Sequence, residues 1–337
     1  MITTEIFDLT VIGGGPVGIF GATMGGLHGM KVKILETLSD LGGQLYALYP
    51  EKPIYDVAGF PMVIAKELTQ ALIAQMQRYD PVVCTEESVE SVESSDEGIF
   101  LLRTHKGMHA TRAILLAVGI GSFTPRKLPV PGAEEYEGRG IYYFVPKLQH
   151  FTGQRVLVVG GGDTAVDWAL SVSRHAREVN LVHRRNAFRA LKEGVRQLHE
   201  TPNITVNTPC EVAEILGEGT KLTGAVIQCQ QEKRTVAIDS IIGGLGFHPN
   251  LGPLKTWNLD MANGTIKVSS DSMATNRPGI FAVGDAVSYP GKVKLIAAGF
   301  GEVGIAIAKI RSYLHPELSG LPHSSNMKQS KMAAEIS

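Results

Sequence analysis

Cysteine is scarce. The 337 residues hold three, at positions 84, 210 and 229. Their spacing argues against a disulfide framework and against a thiolate metal site, and no Cys-x-x-Cys pair exists. No apolar run approaches the about 20 residues that a membrane span needs. Neither sign of charge prevails: 32 Lys and Arg stand against 33 Asp and Glu, a net charge of −1. That gives no hint of a nucleic-acid partner. The opening stretch, MITTEIFDLTVIGGG, has no basic region ahead of its apolar residues, so it does not read as a signal peptide. These absences predict a soluble cytoplasmic chain with no metal, no nucleic acid and no membrane. The length suits two domains.

Glycine, by contrast, is abundant. There are 38, well above the usual share of about 7%. They concentrate in two places where a short apolar run turns into a helix. In the second, Val156–Val159 leads into Gly160-Gly161-Gly162-Asp163-Thr164-Ala165. This is the G-x-G-x-x-A form of the dinucleotide fingerprint. Gly160 permits a tight turn, Gly162 lets backbone approach a pyrophosphate, and Ala165 lets helix and strand pack closely. The helix N-terminus offers free N–H groups and a positive dipole end to the phosphates. The next apolar run, Val179–Val182, ends in His183, Arg184 and Arg185, with Arg189 one helical turn on. A free ribose 2′-hydroxyl is usually met at this point by Asp or Glu, whereas cations there suit a 2′-phosphate. The unit reads as an NADP(H) site.

The first place is Ile6–Glu36, with Gly13, Gly15, Pro16 and Gly18 in a G-x-G-x-x-G turn and Glu36 at the end of the following strand. Glu36 stands as far beyond Gly13 as His183 stands beyond Gly160, so the two units form an internal repeat. One frame ends in an acid and the other in a basic cluster. With the second unit holding NADP(H), the first is expected to hold FAD, whose ribose hydroxyls are free. A third signal lies late in the chain, where the run Ile280–Val283 ends in Gly284-Asp285.

Between these signals the pattern predicts a helix over 67–79, strands over 82–92, 99–103 and 113–118, a strand-rich stretch over 204–238, and a helix over 295–314 that is small and apolar on one face. Trp168 and Trp257 are read as core. Hinges are expected at about 119–125 and 243–250. The resulting division is a FAD-binding domain over 1–120, an NADP(H)-binding domain over 121–246, and the rest of the FAD domain with a C-terminal extension over 247–337. The fold class is α/β: two Rossmann-like, three-layer ββα domains, the NADP(H) domain inserted into the FAD domain.

From about Phe7 to Leu314 the chain resembles the two-dinucleotide flavoprotein reductases, and among them thioredoxin reductase. The order G-G-G-x-x-A, H-R-R-x-x-F-R and late G-D is shared. One departure decides the function. Where a thioredoxin reductase carries its redox Cys-x-x-Cys, this chain has Gly140–His150 without cysteine. Electrons must then leave the flavin directly for an outside acceptor. The run from Gly42 to Pro61, the segment 161–168, Lys292–Ile296 and Leu321–Ser324 are similar to the thioredoxin-reductase-like ferredoxin–NADP+ reductases, homodimeric FAD enzymes.

That resemblance implies roles residue by residue. Glu36 would accept from the ribose and Gln44 would hydrogen-bond the FAD. Tyr49 would stack on one flavin face, and His323 would cover the other from the partner copy, followed by Ser325 with a hydroxyl contact. Val89 would lie on the strand meeting the adenine edge, Phe123 in the hinge, and Asp285 at the ribitol. No catalytic acid or base is needed, because the flavin does the chemistry: hydride from NADPH C4 to flavin N5, then single electrons to the carrier. A helix starting near Leu295 should aim its N-terminus at flavin N1 and O2, and domain rotation is expected to open access for the nicotinamide. Lys52, Lys292 and Lys294 are candidates for a patch receiving an acidic ferredoxin. The alternatives are an NADPH-dependent flavodoxin or quinone reductase, still an enzyme, and a non-enzymatic FAD/NADPH redox sensor.

Overall fold

The computed structural model describes residues 5–317 except 96, 97 and 146. Its chain divides into two compact units. One comprises residues up to Ser122 together with those from Asn250 on, and the other spans Phe123–Pro249.

The first unit opens with β1 (Ile6–Ile12), α1 (Pro16–Leu27) and β2 (Val32–Leu35). After α2 (Gly43–Ala47) and the small antiparallel pair β3 (Pro53–Ile54) and β4 (Val63–Ile64), α3 (Ala65–Gln77) leads to β5 (Val82–Cys84), β6 (Val89–Ser94), β7 (Phe100–Thr104) and β8 (Met108–Leu116). The sheet order is β5-β2-β1-β8-β7-β6. β5, β2, β1 and β8 run parallel, and β7 and β6 return antiparallel.

The period-2 alternation of a strand distributes side chains to both faces of this sheet. Leu9, Val11, Val32, Ile34, Ala113 and Leu115 enter one core, shared with Ile19 and Ala22 of α1 and Leu68 and Leu72 of α3. Ile12, Leu35, Ile114 and Leu116 enter the other, with Leu102 and the buried Trp257. A parallel sheet covered on both faces reads as continuous apolar runs, as these strands do.

The stretch 82–92, expected as one strand, is two. Between them the chain leaves the sheet to bind the turn after β2. The Glu87 amide donates to the Glu36 carbonyl at 2.8 Å and the Glu86 amide to the Leu38 carbonyl at 2.9 Å.

The second unit begins within β9 (Ser122–Pro125). It contains β10 (Ile141–Tyr142), β11 (Arg155–Val159), α4 (Asp163–Ser173), β12 (Glu178–Val182), α5 (Lys192–Glu200) and β13 (Ile204–Asn207). An antiparallel meander of β14 (Cys210–Glu218), β15 (Lys221–Cys229) and β16 (Glu232–Ala237) comes next, then β17 (Ser240–Gly243) and β18 (Phe247–Asn250). The parallel sheet has the order β10-β17-β11-β12-β13. The meander covers one of its faces, where Leu157, Val159, Val182 and Ile241 pack with Leu222, Ala225 and Ile227. Gly243, read as the start of a hinge, belongs to β17 and pairs with Val159. Back in the first unit, β19 (Met261–Ala262), β20 (Thr265–Lys267), β21 (Ile280–Ala282), β22 (Val287–Ser288) and α6 (Ile296–Leu314) complete the chain, with β21 adding parallel to β8.

The cysteine reading needs correction. In the β14–β15 register Cys210 faces Cys229, and the two form a disulfide with Cα atoms 4.2 Å apart. Spacing along the chain gave no sign of this, because an antiparallel pair joins residues that are remote in sequence. Cys84 is free. Thiol titration of the denatured, unreduced protein should therefore find one thiol per chain, rising to three after treatment with a dithiol reductant. Three without reductant would show that the pair is open.

Candidate dinucleotide-binding sites

Both glycine turns end a strand at the start of a helix, and both are forced by close backbone contact. At Gly13, with φ +103°, a Cβ would lie 2.5 Å from the Ala117 carbonyl oxygen, and at Gly18 one would lie 1.9 Å from the Gly13 carbonyl oxygen. In the second unit, Gly160 has φ +149° and its Cβ would lie 2.2 Å from the Gly244 carbonyl oxygen. Ala165 is the small residue there: a Cβ on Gly160 or Gly244 would come within 2.8 Å of its methyl carbon. No residue larger than glycine fits at these points.

The ligand-facing glycines behave oppositely. A Cβ at Gly15 or Gly162 would meet nothing within 4 Å. Each is the N-cap of its helix, and neither cap makes a side-chain hydrogen bond. The starts of α1 and α4 are thus open beside these glycines, which fits the pyrophosphate of a dinucleotide. Pro16 takes the first turn of α1, where its missing N–H costs nothing. Gly42 and Gly43 form a further wall that composition did not single out. The Gly42 amide donates to the Gly14 carbonyl at 2.7 Å, and a Cβ on Gly43 would lie 3.0 Å from the Gly15 Cα.

The strand ends differ in charge and in burial. Glu36 is buried. Its Oε2 accepts the Gly14 N–H at 2.5 Å and its Oε1 the Leu38 N–H at 2.8 Å. Each oxygen retains a lone pair for a ribose hydroxyl. In the second unit Arg184, Arg185 and Arg189 are exposed. The loop bearing them is tied to the glycine turn: the Arg189 amide donates to the Gly161 carbonyl at 2.8 Å, and the Leu191 amide to Asp163 Oδ1 at 2.9 Å. Thr164 lies half-buried in the first turn of α4.

His183 is set apart from these arginines. Only 8% of it is exposed, its ring sits where a Cβ on Gly161 would be 2.2 Å away, and Nε2 lies 3.2 Å from the Ala187 carbonyl oxygen. Burial, joined by the neighbouring guanidinium charges, holds its pKa below the usual histidine value. It props the turn as a neutral ring.

Other expected contacts fall around the first unit. Gln44 lies on α2, its Nε2 3.6 Å from the position a Cβ on Gly119 would take. Tyr49 is half-buried, with Lys52 Nζ 5.6 Å from its ring centroid. Val89 is buried in the second core, and Phe123 lies on β9. Asp285 is half-buried in the single 3-10 turn Gly284–Ala286. α6 begins at Ile296 with Leu295 as its N-cap and no side-chain cap. His323 and Ser325 lie outside the described residues. Lys294 is exposed, but Lys292 is not available to a partner: its side chain is 8% exposed and paired with Glu302. The segment 140–150 holds aromatic packing in place of thiols. Tyr142 and His150 have ring centroids 5.0 Å apart, and His150 Nε2 lies 2.8 Å from the Tyr142 hydroxyl.

The family model for pyridine nucleotide-disulphide oxidoreductases matches residues 7–302. A ferredoxin–NADP reductase of Geobacillus thermodenitrificans is 46% identical over 326 residues, 96% of this chain and 98% of its own. Ferredoxin–NADP reductase 2 of Bacillus subtilis is 46% identical over 331 residues, 97% of this chain and 99% of its own. Among solved structures, the thioredoxin reductase of Lactococcus lactis is similar with a TM-score of 0.80 at 27% identity, covering 93% of this chain and 100% of that one. Two glycine turns of one design, a buried acid after the first and exposed arginines after the second, thus coincide with full-length similarity, and the chain belongs to the pyridine nucleotide-disulphide oxidoreductase family.

Proposed function

We propose that this chain is a ferredoxin–NADP+ reductase that uses FAD to pass electrons between NADP(H) and ferredoxin. The carrying observation is the contrast between the two strand ends: Glu36 held by backbone amides in one unit, and Arg184, Arg185 and Arg189 exposed beside the glycine turn in the other. The similarity to proteins named ferredoxin–NADP reductase supports the same reading, as does the absence of cysteine from 140–150.

When bound, FAD supplies the chemistry, accepting hydride at N5 and delivering electrons singly to the carrier. The residues bind and orient. Gly15 and Pro16 hold the pyrophosphate of FAD, Glu36 takes a ribose hydroxyl, Gln44 and Asp285 take the flavin end, and Tyr49 supplies a stacking face. The uncapped N-terminus of α6 favours negative charge on a reduced flavin, each such helix–charge interaction being worth about 0.3–1 kcal/mol at an exposed site. Gly162, Asp163 and Thr164 hold the NADP(H) pyrophosphate and the three arginines its 2′-phosphate.

The working form is a homodimer. Tyr55, Phe60, Met62, Val293 and Leu295 are exposed apolar residues on two segments of the first unit, and they supply surface for a second copy. No helix among the described residues is long and apolar enough to cross a membrane. A cytoplasmic setting follows from the NADPH and ferredoxin pools it would serve. The Cys210–Cys229 disulfide weighs the other way, because reducing compartments keep thiols reduced.

Purified protein should show a flavin spectrum that bleaches on NADPH titration and recovers on adding oxidised ferredoxin, faster than with a quinone. No recovery with ferredoxin faster than without an added acceptor removes the proposal. Arg184→Ala with Arg185→Ala should raise KM for NADPH at least about tenfold, as loss of charge-assisted bonds implies, with little change for NADH; equal losses remove the 2′-phosphate reading. Gly15→Ala should fold normally yet bind FAD weakly. Gly18→Ala should instead lower the unfolding free energy by about 1–3 kcal/mol, the cost of an overpacked site, read as a fall in the denaturation midpoint.

A further inference from the structure

Helix α6 is lined by small and apolar residues, and one acid interrupts them. Glu302 is 3% exposed. A buried carboxylate is costly unless donors meet it, and here three do. Oε2 accepts the Gly284 N–H at 2.6 Å. Oε1 accepts the Tyr289 hydroxyl at 2.7 Å and the Lys292 ammonium. All three donors come from the segment 284–292, which runs from the Gly284-Asp285 turn toward the start of α6. Burial, reinforced by the bond to Glu302, pushes the Tyr289 hydroxyl up to about 12, so it stays a donor.

The same turn is wedged from the other side. Val17, in the first turn of α1, lies where a Cβ on Gly284 would be 3.6 Å away and one on Gly299 would be 2.5 Å away. The start of α1, the Gly284-Asp285 turn and the start of α6 therefore converge on one small side chain, with Glu302 behind them as the tie.

We propose that Glu302 is a positioning residue for the flavin end of the FAD site, and that Lys292 cancels its charge so that the field there is set by the N-terminus of α6. This rests on the FAD reading above. Glutamate suits the role because a carboxylate is acceptor-only with room for several donors, whereas a glutamine would turn an NH2 group toward an N–H, an O–H or an ammonium. The pair also explains why a lysine close to the turn is buried instead of serving a partner.

The test uses Glu302→Gln, nearly isosteric, and Lys292→Met, which keeps the aliphatic stem. FAD dissociation is measured from the fluorescence of released flavin, and the flavin midpoint by reductive titration. Glu302→Gln should weaken FAD binding at least tenfold and leave NADP+ binding within twofold. It leaves the lysine charge uncancelled, so the midpoint should rise. Lys292→Met leaves the carboxylate uncancelled, so the midpoint should fall. A tenfold shift in the oxidised-to-reduced equilibrium is about 30 mV for two electrons. If Glu302→Gln releases too much flavin for titration, its lost affinity supports the positioning role and the sign in Lys292→Met decides the charge role. FAD affinity within twofold of the parent in Glu302→Gln overturns the proposal, as do midpoints that move the same way in both variants. A parent apoprotein that takes up no FAD sinks the functional reading instead, independently of either variant.

Discussion

Backbone meeting backbone is the constraint on which the rest depends. Where Gly18 passes Gly13 and Gly160 passes Gly244, a single Cβ would fall 1.9 Å and 2.2 Å from a carbonyl oxygen. Removing side chains at those points lets a helix begin directly against a strand end. The helix then starts at a fixed place, and the glycine caps Gly15 and Gly162 put no side chain over it. Unsatisfied helix donors with a positive dipole end are what a pyrophosphate needs. The close approach is thus a packing solution that also leaves the start of a helix open.

Around these similar turns, the two units use charge differently. Glu36 is buried and held by the amides of Gly14 and Leu38, so its direction is set before any ligand arrives. The arginines are held through their loop instead, by the bonds of Arg189 and Leu191 to Gly161 and Asp163, leaving the guanidinium groups exposed. One arrangement suits a single hydroxyl hydrogen bond and the other a diffuse phosphate charge. His183, which shares the position of Glu36 in the repeat, supports the turn with its ring. Its burial holds its pKa below the usual histidine value.

Polar groups inside the first unit are concentrated where the late turn meets α6. Glu302, Tyr289, Lys292 and the Gly284 amide satisfy one another. Such a cluster fixes geometry more strictly than apolar packing does, because hydrogen bonds are directional and an unmade one is costly in a buried place. It also removes Lys292 from the cations available to a carrier.

The glycine spacings, the acid at 36 and the basic cluster at 183–189 were legible in the sequence, and with them the two βαβ units. These features are local: each depends on residues within one strand, one turn and one helix, and strand and helix periods print themselves on neighbouring positions. The long apolar strands were legible for the same reason. What only the tertiary structure decided involves residues far apart in the chain. The β14–β15 register joined Cys210 to Cys229. The bonds from 86–87 to the turn after β2 split one expected strand into two. The Gly161 contact turned His183 into a prop, and the meeting of 284–292 with α6 made Glu302 a tie and Lys292 its counter-charge. A residue's type states which bonds it can make; its neighbours across the fold decide which of them it does make.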